Sequence, residues 1–434
     1  MSEVSTNEVR QGDCMDVVKD IPDESIHAVV TDPPYGLNFM PDVTNGWDDF
    51  EPKEYQEWCE KWARECLRVL KPGGHMLAFS GNRTHHRLFT GVEDAGFEIR
   101  DTLTWHYGSG FPKASDISKT IDKRADAERE VVGKGEYFDR QPDGLQGANV
   151  TDFKENEGES YGSNGYVTAP ATDDAKKWDG WKTGLKPSTE FVVMARKPYD
   201  GATVDSVLEH GTGALNIEAC RIGEDKIKTN GWRQSDGDGM MQKNVDAGVY
   251  SDTDYNGGTH EGRYPSNLIF DELAAEQLDA DVGETAGQGI GGQGQNKGQE
   301  IDNDIYGDGY IRSDVGHDDT GGPSRYFYTS KATKAERTLD GKIDNAHPTV
   351  KPGDLMQWLV KLVTAENQIV LDPFCGSGTT LRAAKDLNRQ FIGIERQAKW
   401  ADVARVRAGL TPEDPSIVRD DAGQSGLEAY KVTQ

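Results

Sequence analysis

The chain has 434 residues, enough for one large core with insertions or for two domains. Lys and Arg total 48 against 75 Asp and Glu, a formal net charge of −27, with 35% hydrophobic residues and 50 glycines. That balance excludes a generally basic nucleic-acid binder, whose grip on phosphate comes from Lys and Arg, and no apolar run approaches a membrane span. No basic end leads into an apolar stretch at the N-terminus, so no signal peptide is expected. Cys14, Cys59, Cys66, Cys220 and Cys375 show no C-x-x-C spacing, which argues against a disulfide framework or a zinc site. A reducing cytoplasm is the expected setting. His85-His86 is the only close histidine pair, and no metal site is expected. Acidity has a second meaning. In molar salt the Debye length is about 3 Å, so acidic self-repulsion costs little. An acidic surface then works as a solubility device. A halophilic source is therefore expected.

In chain order, residues 7–20 read as a strand, the turn Gly12-Asp13-Cys14 and a short helix from Met15 to Asp20. Ile26 to Thr31 reads as a buried strand. It runs into Asp32-Pro33-Pro34-Tyr35-Gly36, where two prolines must end the strand and stiffen the turn. Taken alone, the turn suits a helix-capping Asp as well as it suits a clamp for a flat, amino-bearing ring. Residues 37–52, with Trp47 and Phe50, read as a loop over the site. Lys53 to Leu70 reads as a helix, with Trp58, Trp62, Cys66 and Val69/Leu70 as a core stripe. Lys71-Pro72-Gly73-Gly74 is expected to stop it. His75 to Phe79 is the next strand, Asn82 to Ala95 a helix, and Phe97 to Trp105 a strand. Such alternation predicts a mostly parallel, doubly wound sheet.

After Tyr107 the pattern breaks. Residues 133–180, 223–263 and 281–323 are rich in Gly and acidic or amide residues, with a strand expected at Phe191 to Arg196. Ser266 to Phe270 and Ser324 to Thr329 read as short ordered pieces. His347-Pro-Thr-Val-Lys-Pro352 marks re-entry, followed by a helix with Leu355, Leu359, Leu362 and Val363 on one face. Then come strand Gln368 to Leu371, the turn Asp372-Pro373-Phe374-Cys375-Gly376-Ser377-Gly378, helix Thr379 to Leu387, strand Phe391 to Ile394 and a helix from about Lys399. The boundaries expected are 1–110, 111–345 as an insertion, 346–410, and a loosely packed polar tail over 411–434.

Gly376-x-Gly378 opens a helix after an apolar strand, so bare backbone and free helix N–H groups face a ligand. It is neither Gly-x-Gly-x-x-Gly nor a P-loop. Glu395 ends the next strand 19 residues after Gly376, close to the spacing at which an acid meets ribose hydroxyls in nucleotide-binding α/β folds. Alone, it would read as a solvated strand end.

Asp32-Pro-Pro-Tyr35 together with Asp372-Pro-Phe-Cys-Gly-Ser-Gly-Thr-Thr380 resembles the S-adenosyl-L-methionine-dependent DNA amino-methyltransferases. The order resembles their β group, with the catalytic half first, an insertion second and the cofactor half last. Gly12-Asp13 and His347 to Pro352 fit the same group. The resemblance covers about residues 7–110 and 345–408. It implies an α/β, Rossmann-like, doubly wound mixed sheet with circularly permuted motif order and a loop-rich inserted target-recognition region. It also implies S-adenosyl-L-methionine as cofactor and double-stranded DNA as partner, and leaves room for a restriction endonuclease and a homodimer. Asp372, Pro373, Phe374, Gly376 and Gly378 would line the methionine part, with Ser377 and Thr379 near its carboxylate. Lys351 with Thr349 would approach that carboxylate, Glu395 would hold the ribose, and Asp13 beside Cys14 would meet the adenine amino group. Asp32, Pro33, Pro34 and Tyr35 would hold the target base.

The chemistry agrees with these roles. An exocyclic amino group is a poor nucleophile because its lone pair is delocalised, so acceptors at Asp32 and Pro33 help by aiming that pair. A stacked base must first be flipped out, and Tyr35 would replace lost stacking, worth about 1–3 kcal/mol per base. Adenine N6 is the expected target, with cytosine N4 the alternative and RNA or protein glutamine a more distant one. Cys375 lies in the glycine turn and reads as a packing residue rather than a nucleophile. Lys113, Lys119, Lys123 and Arg124, and Lys331, Lys334 and Arg337 beside Tyr326, Phe327 and Tyr328, are the candidate DNA contacts, with Trp105 and Tyr107 as candidate walls of the base pocket.

Overall fold

The computed structural model describes residues 4–37, 48–110, 114–134, 166–232, 255–286, 320–330, 334–343, 345, 347 and 349–418. It divides into a large unit, Met1–Gly108 with Thr189–Gln434, and a small one, Ser109–Ser188. Trp47, Lys113 and Lys331 lie outside the described residues, as does the side chain of Lys334.

The large unit begins with β1 (Glu8–Gln11), α1 (Cys14–Val17) and β2 (Ile26–Thr31). Helix α2 (Pro52–Val69) starts with a proline in its first turn and a reciprocal Glu51–Glu54 cap, which satisfy or remove its orphan donors. Its predicted stop differs from the observed one. Strand β3 (Leu70–Gly81) begins where the helix ends and contains Lys71-Pro72-Gly73-Gly74. Partners outside the segment explain this: Leu70 pairs with Ile26, and the Gly73 N–H donates to Lys197 O at 3.1 Å. Then follow α3 (His85–Asp94) and β4 (Glu98–His106).

The small unit holds α4 (Ile117–Arg124), the antiparallel pair β5 (Val131–Lys134) and β6 (Tyr166–Thr168), and α5 (Asp173–Lys177). Its buried Asp122 ties the unit together. It accepts from the N–H groups of Ala171 and Thr172 at 3.0 Å each and pairs with Arg129 at 2.5 Å.

The large unit resumes with β7 (Thr189–Arg196), α6 (Thr203–His210), the pair β8 (Ile222–Trp232) and β9 (Tyr255–Arg263), β10 (Leu268–Asp271) and α7 (Glu272–Val282). After β11 (Thr285–Ala286), β12 (Thr320–Gly321), β13 (Tyr328–Ser330) and α8 (Lys334–Thr338) come α9 (Gly353–Val363), β14 (Ile369–Asp372), α10 (Thr379–Asp386), β15 (Gln390–Glu395) and α11 (Ala398–Arg407).

Among the described residues the main sheet has nine strands, ordered β1-β15-β14-β2-β3-β7-β4-β10-β13. All its pairings are parallel except those of β7, which runs against β3 and β4. Alternate residues of each strand serve opposite faces. Ala28, Val30, Leu77 and Phe79 share a core with Leu355, Leu359, Ala383 and Ala404 from α9, α10 and α11. Val29, Met76, Ala78 and Leu371 share another with Tyr55, Trp62, Cys66 and Leu88 from α2 and α3. Both faces are therefore covered, as a doubly wound sheet requires. Each large apolar side chain so buried contributes about 1.5–3 kcal/mol. All five cysteines are buried free thiols. Among the described residues, no helix is long and apolar enough to cross a membrane.

The expected loose tail is packed as far as Val418, which is fully buried and bridges to Ile343. Asp402 accepts from the N–H groups of Glu413 at 2.7 Å and Asp414 at 3.0 Å, so polarity here marks capping rather than looseness. Residues 419–434 lie outside the described residues.

Candidate active site

Five neighbouring strands, β1, β15, β14, β2 and β3, run parallel, so their carboxyl ends share one edge of the sheet. Asp13, Glu395, Asp372 and Asp32 leave the sheet there, and ligands of open α/β sheets sit at such an edge. Because β7 is antiparallel, that edge receives its first residues instead. Glu190 is thereby seated between Gly81 of β3 and Trp105 of β4.

Three groups fasten the Asp32 turn. The Tyr55 hydroxyl donates to Pro34 O at 2.8 Å, and buried Asp48 accepts from the N–H groups of Gly36 at 2.6 Å and Leu37 at 3.3 Å. The Tyr35 ring lies against Gly81, where a Cβ would stand 3.0 Å from it, a tight contact that glycine avoids.

The side chains of Asp32, Tyr35, Glu190 and Lys351 form one cluster. Lys351 Nζ donates to Asp32 Oδ2 at 2.6 Å and to the Tyr35 hydroxyl at 3.2 Å, and lies 3.3 Å from Glu190 Oε2. The Tyr35 hydroxyl is 2.9 Å from both Asp32 Oδ1 and Glu190 Oε2. Burial opposes the Lys351 charge, but Asp32 and Glu190 outweigh it and hold the ammonium above the ordinary lysine range. Burial, then the two carboxylates, push the Tyr35 phenol far up, so it keeps its proton. Tyr107 is raised by burial and by Glu190.

On the next strand, Asp372 is buried. Its Oδ1 accepts from Thr31 Oγ1 at 2.6 Å and from Phe374 N at 3.1 Å, and burial raises its carboxyl to about 6. Thr31 directly precedes Asp32, so this bond joins the two turns. Pro373 is buried, and the Phe374 ring packs against Trp58 and Trp62 at 5.5 and 5.4 Å. Gly376 and Gly378 have φ of +49° and +82°, and a Cβ on Gly378 would meet Ala404 Cα at 2.8 Å. Burial raises the Glu395 carboxyl.

The remaining expected residues are placed as follows. Asp13 caps α1, accepting from Met15 N at 3.0 Å. Burial pushes the adjacent Cys14 thiol to about 12. Ser377 and Thr379 turn their hydroxyls to buried Arg407, whose Nη1 donates to them at 3.0 and 2.9 Å. Thr349 is exposed, its N–H donating to His347 Nδ1 at 3.4 Å. Burial, then Lys351, hold His347 down at about 4. Burial raises the Cys375 thiol well above its ordinary value, which suits packing rather than nucleophilic attack.

Several residues expected at DNA also make contacts within the fold. Arg337 donates to the carbonyls of Asn345 at 3.0 Å and His347 at 2.6 Å, fixing the re-entry turn. Tyr328 stacks on Trp358 at 5.1 Å, Phe327 meets Phe270 edge-on at 5.2 Å, and Tyr326 lies under the Arg325 guanidinium at 4.4 Å. Lys119, Lys123 and Arg124 are exposed on α4 of the small unit. Trp105 donates to Ser330 Oγ at 3.2 Å and packs on the core, with Tyr107 5.3 Å away. Glu190 and Arg407 carried no motif. The one signal for Glu190 was an acid at the start of an otherwise apolar strand.

Two acids flanking bare glycine backbone, buried Asp372 and half-buried Glu395, suit a ligand that brings hydroxyls and positive charge. A family model described as DNA methylase matches residues 26–405. Type II methyltransferase M.HindIII of Haemophilus influenzae is 24% identical over 428 residues, covering 91% of this chain and 92% of the relative. Among solved structures, the PvuII DNA methyltransferase (cytosine-N4-specific) is similar at 14% identity and a TM-score of 0.43, covering 93% of this chain and 86% of the other. A putative DNA modification methylase from Thermus thermophilus, complexed with S-adenosyl-L-methionine, is similar at 15% identity and a TM-score of 0.36, covering 93% of each chain.

Proposed function

From the premise that this chain belongs to the DNA methylase family, we propose that it transfers a methyl group from S-adenosyl-L-methionine to N6 of a flipped-out adenine at a defined site in double-stranded DNA. One observation carries this reading: the Asp32 and Asp372 turns, far apart in sequence, leave one sheet edge side by side, linked by the Thr31–Asp372 bond of 2.6 Å. The cofactor supplies a methyl group on a positively charged sulfur.

The chain's own residues supply alignment, the main catalytic need of such a transfer. Asp32 and the Pro33 carbonyl accept the amino N–H groups and aim the nitrogen lone pair, with Pro34 stiffening the turn, and Tyr35 covers the ring. Lys351 holds Asp32 Oδ2 beside Glu190, and Asp32 Oδ1, on the Tyr35 side, receives the amino group. Asp372, Pro373 and Phe374, with the backbone of Gly376 and Gly378, line the methionine part. Glu395 takes the ribose hydroxyls and Asp13, beside Cys14, the adenine amino group. Arg407 fixes Ser377 and Thr379, which shape the turn. Residues 111–345 carry target choice, with Lys119, Lys123 and Arg124 toward phosphate, and a restriction endonuclease of matching specificity fits a type II role. The charge of −27 suits work in concentrated salt.

The test exposes unmethylated DNA to the protein and S-adenosyl-L-methionine in molar and dilute potassium chloride. Digestion and mass spectrometry then identify the modified nucleoside, and modification-sensitive sequencing its context. N6-methyladenine at one sequence is expected, with more of it in molar salt. N4-methylcytosine replaces the adenine assignment, since both bases offer Asp32 the same amino group. No methyl incorporation into any DNA refutes the proposal.

A further inference from the structure

Counting protons in the Asp32 cluster shows a place for one more. Lys351 has three N–H groups and three neighbours, Asp32 Oδ2, the Tyr35 hydroxyl and Glu190 Oε2. Tyr35 has a single hydroxyl proton, yet its oxygen lies 2.9 Å from two carboxylate oxygens, Asp32 Oδ1 and Glu190 Oε2. With both carboxylates ionised, one of those two contacts has no proton and the cluster carries one negative charge. One added proton completes every contact and makes this largely buried group neutral, the state burial favours.

The proposed reaction releases that proton. Resting on that reading, we propose that Glu190 is the terminal proton acceptor for methyl transfer, reached from the target amino group through Asp32 and Tyr35. The amino nitrogen's lone pair forms the bond to the methyl carbon. The carbon–sulfur bond breaks with its electron pair going to sulfur, which becomes a neutral thioether. The nitrogen, now positive, gives one proton to Asp32 Oδ1, the oxygen beside Tyr35. Tyr35 takes that proton from Asp32 Oδ1 as it passes its own hydroxyl proton to Glu190 Oε2. Tyr35 works in concert in this way because it never becomes a phenolate. Asp32 is left ionised for the next amino group, which a proton kept there would hinder. Glu190, with 20% of its side chain exposed, returns the proton to water. Lys351, 8% exposed, holds both carboxylates in register throughout.

Glu190 acts through Tyr35 and Asp32, so it is a positioning and relay residue rather than one that touches the base. The ionisable groups facing it are Tyr35 and, through it, Asp32 from the turn after β2, Lys351 from the segment before α9, and Tyr107 from the end of β4. The experiment measures single-turnover methyl transfer by the full chain against pH, with S-adenosyl-L-methionine affinity by calorimetry as a readout independent of activity. Glu190→Gln is expected to slow transfer about 100-fold, the scale of positioned proton transfer. Cofactor affinity and KM for DNA stay unchanged, and the fall in rate toward low pH becomes one proton shallower. Glu190→Asp recovers part of the rate. Tyr35→Phe keeps the ring and the Lys351–Glu190 pair but breaks the relay, so it matches Glu190→Gln, and the double variant is no slower than either.

Transfer by Glu190→Gln at the wild-type rate overturns the relay. So does a slower rate with an unchanged pH profile, or losses that add in the double variant. If Glu190→Gln does not bind cofactor, Tyr35→Phe decides, and a wild-type rate and profile there overturn the relay. A wild-type protein that methylates no DNA overturns the functional reading and the relay together, whereas the outcomes above overturn the relay alone.

Discussion

Two turns leave neighbouring strands of one sheet edge on a shared plan, an acid, then proline, then an aromatic ring, and they handle the acid in opposite ways. Asp372 is held by the Thr31 hydroxyl at 2.6 Å and by the Phe374 N–H of its own turn at 3.1 Å, partners that cannot leave. Asp32 is held by the ends of two long side chains, Lys351 at 2.6 Å and Tyr35 at 2.9 Å, partners that can exchange. The rings follow suit. Phe374 is locked between Trp58 and Trp62, while Tyr35 rests on a glycine and keeps its hydroxyl in the cluster. A fixed acid suits a site that binds the same cofactor in every cycle. An acid held only by side-chain ends suits one that must adjust to admit a base.

The largest test of this contrast removes the acid with exchangeable partners. Asp32→Ala is expected to lower methyl transfer about 100-fold or more while cofactor affinity stays intact. Calorimetry beside a radiolabelled transfer assay checks it, and retained turnover breaks the comparison at once. Next comes Lys351→Met, which leaves Asp32 and Glu190 facing each other without their cation. Losing one partner of a fully buried pair costs about 3–5 kcal/mol, and the partial exposure of both carboxylates lowers that figure here. The sign of the pH effect follows from the raised Lys351 value. Its contribution is fully present below the ordinary lysine value of 10.5 and is lost only as pH rises through the higher folded value. Urea melts of the two proteins should therefore stay equally far apart from pH 6 to 9. A gap that closes within that window contradicts the assignment.

A smaller effect is expected from Thr31→Val. It keeps the shape and removes the hydroxyl proton that Asp372 accepts, at a cost of about 1–3 kcal/mol. Cofactor affinity should fall with it, because the two turns lose their link; unchanged melts and affinity would show that the turns are held independently. The smallest belongs to Cys375→Ala. The thiol is buried and packed near Gly393, so the variant should melt slightly earlier and still transfer methyl groups. Complete loss of transfer with normal cofactor binding would restore a chemical role for sulfur.

Much of the fold was legible because it is written locally. Ile26 to Thr31 is an apolar run closed by prolines, and the observed β2 has those bounds. The stripe from Trp62 through Cys66 to Val69 is buried as its spacing implies. Where reading failed, distant partners had won. Lys71-Pro72-Gly73-Gly74 carries every local mark of a break, yet lies within β3 because β2 and the chain near Lys197 offer it hydrogen bonds. What the sequence could not show is that Arg337 holds a carbonyl pair and that Tyr328 stacks on Trp358, partners brought from other elements.

By itself the sequence determined the two turns, their strands and the acids at their ends, since prolines, glycines and apolar periodicity act over a few residues. Only the tertiary structure decided what those acids touch. Strand order set β14 beside β2 and so put Asp372 against Thr31. The reversal of β7 delivered its first residues, rather than its last, to the functional edge, and with them Glu190 to Tyr35 and Lys351. A strand's direction in a sheet is chosen by its neighbours' hydrogen bonds and by the cores on both faces, and no spacing within the strand records it.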